Sequence, residues 1–235
     1  MIEFIPAEVL KRQFNIFGHF YSVGIARREK LLCRSVLEIV SKSETPAQLA
    51  AISKMKPDAV FIMMNPGSSK PLTEVNNQVA ANGIGELAIS LVPTRPDTTQ
   101  YQVMRVMHYC QWRHVRVLNL SDLRCTKSTL FFKQYQLLEE TAKYDAHSIF
   151  SEARAEELAS KLPKSKTMPV VLAWGVSPQL DPLIARCTAR ISGRQIVRGL
   201  LKEETTDKYF HPLPTLQKQK LQWVENMVKC CRGKA

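Results

Sequence analysis

Polar side chains that could do chemistry occur in this sequence in four short segments, and each segment follows an apolar run. The segments are Asn65-Pro66-Gly67-Ser68-Ser69, Asn119-Leu120-Ser121-Asp122-Leu123-Arg124, Trp174-Gly175-Val176-Ser177 and His211-Pro212-Leu213-Pro214. An asparagine amide offers a donor and an acceptor to a water or a ligand, and an imidazole can donate a hydrogen bond to an atom that gains negative charge. The order of these residues indicates one polar site assembled from several elements.

The first segment ends an unbroken apolar run, residues 59–64, which is typical of a fully buried strand. In open α/β sheets, ligands bind just beyond the carboxyl ends of the strands, so Asn65 stands where a ligand would bind. A second interpretation is that Asn65 and Gly67 only complete a tight turn. The residues alone leave both interpretations open.

Apolar patterns predict the elements that must position these segments. They indicate a helix over 98–111, a strand over 114–120, a polar helical stretch that ends at Leu162, a strand over 168–175, a helix from Ser177, a fourth strand over 195–198 and a closing amphipathic helix. Strands that alternate with helices predict a single α/β domain over residues 1–235, a three-layer sandwich with a central, mostly parallel four-stranded sheet and helices on both faces.

Two regions precede or interrupt this pattern. Residues 1–56 are expected to form a mostly helical N-terminal extension, because Leu32, Val36 and Val40 recur every four residues, although 20–40 could instead hold a strand. Residues 67–99 are rich in Asn, Gly and Ser and are predicted to form a long loop. Unstructured loops of that length are usually functional or mobile.

The composition restricts the partners and the compartment. The chain of 235 residues has 33 Lys and Arg against 21 Asp and Glu, a formal net charge of +12, and such an excess favours nucleic acid as a partner. No apolar run approaches the roughly 18 residues of a membrane span, and the first residues lack the pattern of a secretory signal. Six cysteines without C-x-x-C spacing argue against a zinc site. We therefore expect a cytoplasmic protein with no metal and no membrane partner.

The order of the four segments resembles the uracil-DNA glycosylase superfamily. Its members have a GINPG or GQDPYH motif after the first strand, a second strand that ends in Asn, a third that ends in Gly, and a late HPSP-like loop. The segment Met64-Asn65-Pro66-Gly67 is similar to the variant of the mismatch-specific branch, with Asn in place of Asp. The chain is more similar still to a bacterial domain family with NPS, N-L-x-x-x-R, W-G and H-P-L motifs. The resemblance covers about residues 57–228.

This resemblance implies a uracil-DNA glycosylase-like fold and a DNA glycosylase that needs no cofactor. Such an enzyme flips a base, hydrolyses its N-glycosidic bond and leaves an abasic site. Asn65 would position the attacking water, and His211 would donate a hydrogen bond to the leaving base. Asp122 is the only carboxylate within the four segments, and it is either a general base or the partner of an arginine such as Arg124.

Further residues would recognise the base and the DNA. Asn119, Gly67 and Trp174 would contact the base, with the alternatives that Asn119 caps a turn and that Trp174 belongs to the core. A wedge residue helps a base to leave the stack, and Leu213 is the candidate. The residues predicted to bind DNA are Ser68, Ser69, Lys70, Arg124, Lys127, Ser128, Ser177 and Leu213.

Departures from the superfamily motifs bear on the substrate. The Tyr-His of GQDPYH is missing, and the Ser-Pro of HPSP is replaced by Leu213-Pro214. Together with the small residues of 67–99, these changes favour a base bulkier than uracil. We expect a hydroxymethylated or glucosylated cytosine of double-stranded phage DNA, excised in antiviral defence with no obligate protein partner. The alternatives are a non-catalytic nucleic-acid-binding module and a nucleotide-processing enzyme that uses the same crevice.

Overall fold

A short helix and two long strands begin the fold. The protein is described by a computed structural model over residues 2–25, 29–193 and 196–233, with the backbone alone described at residues 25, 29, 82, 85 and 86. The helices are α1 (Ala7–Gln13), α2 (Thr98–Cys110), α3 (Ser128–Glu140), α4 (Ala155–Lys161), α5 (Asp181–Ile191) and α6 (Gln217–Arg232). The strands are β1 (Phe14–Ile25), β2 (Glu29–Ser41), β3 (Ala59–Met63), β4 (Lys70–Pro71), β5 (Gln78–Ala80), β6 (Val92–Arg95), β7 (His114–Asn119), β8 (Val170–Ala173) and β9 (Val197–Gly199).

One sheet joins the nine strands of the described residues in the order β4-β6-β1-β2-β7-β3-β8-β9, with β5 paired to β1. Strands β7, β3, β8 and β9 pair in parallel, and β2 joins this group to the antiparallel half of the sheet. The prediction of an α/β fold is confirmed. The predicted four-stranded sheet is wrong, because the hairpin of β1 and β2 and the strands of residues 70–95 extend it. The predicted fourth strand is β9, and its expected first residue, Gln195, lies outside the described residues.

Apolar clusters cover both faces of this sheet. One cluster joins strand residues such as Val60 and Ile62 to Phe131 of α3, Leu158 of α4 and Leu183 of α5. The other joins the opposite side chains of the strands to helices α1, α2 and α6, through Leu10, Val103 and Val224 among others. Helices therefore lie on both faces, and they hold the strand ends in fixed relative positions.

The expectation of a mostly helical segment 1–56 is wrong, and the alternative that 20–40 holds a strand is confirmed. A four-residue spacing is also an even spacing, so it puts residues on one face of a strand as well as of a helix. The hairpin shows a further irregularity: His19 pairs with Val36 but Phe20 pairs with Arg34, which leaves Ser35 as an extra residue in β2. The bulge reverses the alternation, so Val36 is fully buried while Leu32 is 52% exposed.

Residues 67–99 do not form the expected irregular loop. They contain β4, β5, β6 and a 3-10 helix over Ala81–Glu86. Strand β6 pairs with β1, where Phe17 faces Pro93. Because β6 ends at Arg95, this pairing fixes where α2 begins, and the start of α2 lies beside the first polar segment.

Candidate functional site

A cleft of about 200 Å³ opens beyond the carboxyl end of β3. It brings together five of the residues that the sequence predicts for the site: Asn65, Gly67, Ser68, His211 and Leu213. The first and fourth polar segments therefore meet, although about 145 residues separate them in the sequence. The walls also include parts that the sequence analysis did not identify, namely Arg34 of β2, the start of α2 from Asp97 to Gln100, and Cys125 with Thr126.

His211 enters the cleft on a loop that three elements hold in place. The Gly175 amide at the end of β8 donates to the Tyr209 carbonyl over 2.8 Å. Trp223 Nε1 of α6 donates to the Phe210 carbonyl over 3.0 Å, and Gln102 Nε2 of α2 donates to the Pro212 carbonyl over 3.0 Å. The imidazole is thus positioned through the backbone on both sides of it.

The protonation of His211 follows from its surroundings. The Leu213 amide donates to Nδ1 over 3.2 Å, so the proton of the neutral ring lies on Nε2. Burial lowers the pKa of the His211 imidazole from 6.5 to about 4. At neutral pH this side chain is therefore an uncharged hydrogen-bond donor that lines the cleft.

Asn65 uses one half of its amide to hold the second polar segment. Its Nδ2 donates to the Leu123 carbonyl over 3.1 Å and to the Cys125 carbonyl over 2.7 Å. Because both hydrogens are used, the orientation of the amide is fixed and Oδ1 is its remaining functional atom. A water that donates a hydrogen bond to Oδ1 would have its lone pairs directed elsewhere in the cleft.

Asn119 does not line the cleft, contrary to its predicted role at the base. It is fully buried, and with its amide oriented so that both groups are paired, Nδ2 donates to the Asn65 carbonyl over 3.3 Å. Its Oδ1 accepts from Arg34 Nη2 over 3.2 Å. Asn119 therefore lies outside the cleft and holds two cleft residues, Asn65 and Arg34, in place through hydrogen bonds.

Asp97 supplies the carboxylate of the cleft. It caps α2 through a reciprocal capping box, in which its Oδ1 accepts from the Gln100 amide over 3.0 Å and its own amide donates to Gln100 Oε1 over 3.3 Å. Burial raises the pKa of Asp97, against the lowering effect of the Gln100 amide and the Arg34 guanidinium. The pattern Asp97-Thr98-Thr99-Gln100 before a predicted helix is the sequence signal that could have identified it.

Gly67 lies against this carboxylate in a left-handed conformation, with φ of 62°. A Cβ at this position would approach Asp97 Oδ2 to 3.4 Å. We expect Gly67→Ala to destabilise the protein by about 1–2 kcal/mol, because a side chain disfavours this backbone conformation. The expected decrease in Tm is about 2–8 °C, measured by thermal unfolding. Gly83→Ala is the control, since a Cβ there meets nothing within 4 Å, and equal Tm values for the two variants would contradict the prediction.

The predicted general base Asp122 is not in the cleft. It is fully buried, accepts from Tyr21 Oη over 2.7 Å, and forms an ion pair with Arg154 Nη1 at 2.6 Å rather than with Arg124. Burial raises the pKa of Asp122 to about 6, so the group is ionised at neutral pH beside the guanidinium. The structure therefore corrects the catalytic prediction, and Asp122 belongs to a structural ion pair.

Trp174 likewise lies in the core rather than against a ligand. It is fully buried, its Nε1 donates to the Asp207 carbonyl over 2.9 Å, and its ring packs edge-to-face on Tyr209 at 5.5 Å. The prediction that Trp174 contacts the base is therefore corrected. Trp174 instead packs against the loop that carries His211.

The residues predicted to bind DNA fall into two groups. Those exposed to solvent are Ser68, Lys70, Lys127, Ser128 and Leu213. The others form hydrogen bonds within the protein. Ser69 is fully buried, whereas Arg124 and Ser177 are half-buried. Arg124 Nε donates to the Ser69 carbonyl over 3.1 Å, and Ser177 Oγ accepts from the Gln179 amide over 3.3 Å. Ser69 cannot reach DNA in this structure, and its prediction is corrected.

A second constellation has the residue types of a hydrolase triad. Ser121 Oγ lies 2.9 Å from His147 Nδ1, and His147 Nε2 lies 2.9 Å from Glu139 Oε1. Both Ser121 and His147 are fully buried, so a substrate has no access to the hydroxyl. Arg186 donates two further hydrogen bonds to Glu139. Ser121, His147, Glu139 and Arg186 therefore form a hydrogen-bonded network with a structural role.

Among the described residues, no three or more His, Cys, Asp or Glu side chains are grouped as they would be to hold a metal ion. The helices of the same residues are all too short or too polar to cross a membrane. Comparisons of the chain with protein-family models, with curated proteins and with solved structures found no match.

Proposed function

We propose that this protein is a DNA glycosylase that flips a modified base into the cleft and hydrolyses its N-glycosidic bond. The observation that carries the proposal is the meeting of Asn65 with a neutral His211 in one cleft beyond the end of a parallel strand. Both residues belong to the motifs of the resemblance to uracil-DNA glycosylases. The parallel strands β7, β3, β8 and β9 would be the glycosylase-like part of the fold.

The chemistry of the site suits this reaction. As the bond between the base and C1′ breaks, its electron pair leaves with the base, and the sugar becomes oxocarbenium-like. Nε2–H of His211 would donate to the leaving base and stabilise its negative charge. A water held by Asn65 Oδ1 would add its oxygen to C1′ and lose a proton to solvent, and the departed base would take a proton from solvent.

DNA as the partner is supported by charge and by the surface near the cleft. The net charge is +12, and Lys70 and Lys127 are exposed in the segments that follow Asn65 and Asn119. Phosphate contacts from such residues position a protein on DNA without reading its sequence. Leu213 is 36% exposed and lines the cleft, where it would occupy the gap left by the flipped base.

The volume of the cleft limits how much of a modified base can be enclosed. Its volume of about 200 Å³ is below the roughly 300–1,000 Å³ of sites for drug-sized ligands. A single heterocycle would fit inside, whereas the sugar of a glucosylated hydroxymethylcytosine would extend through the mouth. The departures from the uracil-specific motifs favour hypermodified cytosines of phage DNA as the proposed substrates, and their removal would serve antiviral defence.

The test is incubation with a panel of DNA duplexes that contain uracil, a mismatch, hydroxymethylcytosine or glucosylated hydroxymethylcytosine, followed by cleavage with alkali. We expect alkali-labile sites in at least one modified duplex and none with Asn65→Ala, while binding of that variant persists. An intact panel would refute the enzyme. Binding with a steep salt dependence but no cleavage would favour a nucleic-acid-binding module, and activity on free nucleotides would favour a nucleotide enzyme.

The pH profile tests the state of His211. Since its pKa is lowered from 6.5 to about 4, the ring stays neutral as pH falls through 6.5 and gains a proton only near pH 4. We expect excision to keep its His211-dependent rate down to about pH 5 and to decline near pH 4. The measurement is kcat/KM against pH together with the NMR titration of the His211 C2 proton. A titration midpoint near 6.5 would contradict the neutral-donor role.

A further inference from the structure

Arg34 is a buried cation that borders the cleft, and two of its three guanidinium nitrogens have no hydrogen-bond acceptor in the described part of the chain. It is 1% exposed and belongs to β2, the strand that the sequence analysis did not connect with the site. Its Nη2 donates to Asn119 Oδ1 over 3.2 Å. Within the described part of the chain, Nε and Nη1 have no acceptor. The positive charge of Arg34 is favoured by Asp97 and Asp122, but these carboxylates accept no hydrogen bond from Nε or Nη1. A buried donor without a partner is costly, so a ligand that brings acceptors into the cleft would gain free energy from Arg34.

The location of Arg34 narrows the class of ligand. Backbone phosphates of DNA lie outside a cleft and are met by exposed side chains such as Lys70 and Lys127. The group that reaches Arg34 must instead enter the cleft, whose volume of about 200 Å³ holds one base. In the proposed reaction, that group is the flipped base.

The hydrogen-bonding pattern of the pyrimidines then decides between them. Cytosine has two adjacent acceptors, O2 and N3, next to its exocyclic amino donor. Uracil and thymine have a donor, N3–H, between two carbonyl oxygens, and this donor would face the guanidinium. Asp97, in the same wall, is a carboxylate that can accept from the amino group of cytosine.

We propose that Arg34 determines base specificity by donating from Nη1 and from the second hydrogen of Nη2 to O2 and N3 of a cytosine-type base, with Asp97 accepting from its exocyclic amine. The proposal rests on the proposed function and names its substrate class. It also gives Asn119 a role, since Asn119 fixes the guanidinium from behind. A substituent at C5 of the ring takes no part in these hydrogen bonds, so modified cytosines keep them.

The experiment compares DNA duplexes with one 2′-fluoro-2′-deoxycytidine, one 2′-fluoro-2′-deoxyuridine or one abasic analogue, because fluorine at C2′ slows glycosidic cleavage and allows binding to be measured. Excision is measured in parallel on cytosine, hydroxymethylcytosine, glucosylated hydroxymethylcytosine, uracil and a purine mismatch. We expect the wild type to bind the cytidine duplex about 5- to 150-fold more tightly than the uridine duplex, as for one bidentate contact. Arg34→Gln should remove this preference and leave binding to the abasic duplex unchanged.

Two further variants keep the result interpretable. Arg34→Lys retains the charge without the planar pair of donors, so it should also lose the preference. Arg190→Gln removes one positive charge from a residue of α5 that pairs with Glu152, and it should behave as wild type. If the Arg34 variants unfold, the base preference of the wild type alone still tests the proposal.

The outcomes separate this proposal from the proposed function. Excision of uracil or a purine in preference to cytosines would overturn the role of Arg34 while the glycosylase stands. A preference for cytidine that persists within twofold in both Arg34 variants would also overturn it. Arg34-dependent preference for the cytidine duplex without any excision would uphold base selection and refute the hydrolysis.

Discussion

Replacement of His211 by alanine is expected to lower the rate of base excision by about 10²–10³-fold, the typical loss of one donor that stabilises developing charge. The loss should appear in kcat rather than in DNA affinity, because the Nε2–H acts on the leaving base. Single-turnover excision and binding to an abasic duplex are the measurements. His211→Gln keeps an N–H donor on its side chain and should recover part of the rate.

The matched control is His108→Ala, since His108 of α2 is exposed and is hydrogen-bonded to Gln13 of α1. We expect this variant to excise at the wild-type rate. A similar loss in both histidine variants would indicate a general effect on folding. Full activity of His211→Ala would refute its role in the proposed mechanism.

The largest effect on stability is expected at Asp122, where replacement by alanine should cost about 3–5 kcal/mol of unfolding free energy. Its partner Arg154 is also fully buried, so the substitution removes one of the two carboxylates that balance this cation and takes the acceptor from the Tyr21 hydroxyl. Glu157 still accepts hydrogen bonds from Nε and Nη2 of Arg154, but it does not replace Asp122 Oδ2 as the acceptor for Nη1. Urea unfolding gives the measurement.

A double variant separates the charge from the packing. Asp122→Leu with Arg154→Met removes the two fully buried charges together, and it should be less destabilising than Asp122→Ala. Glu157 also loses its partner Arg154, but its side chain is 15% exposed and its carboxylate can be solvated. Normal stability of Asp122→Ala with loss of excision would instead restore the catalytic interpretation of this carboxylate.

Many elements around the cleft could be predicted from the sequence. The helix predicted over 98–111 is α2, the strand predicted over 114–120 is β7, and the run 59–64 contains β3. These segments are apolar or amphipathic over their whole length, so their own pattern defines them. Asn65 follows β3 as its pattern predicts, His211 lies in the loop before α6, and both line the cleft.

The part of the cleft that β2 contributes, Arg34, could not be predicted from local patterns. The four-residue spacing around Val36 suits a helix and a strand equally, and only the pairing of β1 with β2 and β7 selects the strand. The bulge at Ser35 then changes which side chains face inward, and a bulge is fixed by the partner strand. Arg34 lies next to this bulge, so its place at the cleft depends on contacts far away in the sequence.

The order of the polar strand ends along one edge of the parallel strands could be predicted from local patterns, because each strand has its own apolar run. Which polar side chains reach the cleft depends on packing between distant segments. Asn119 ends a buried strand and Asp122 follows it closely, as Asn65 follows β3, yet Asn119 and Asp122 are enclosed by Arg34 and Arg154. Burial depends on what packs against a residue, and the local pattern of apolar residues does not show which distant residues will pack there.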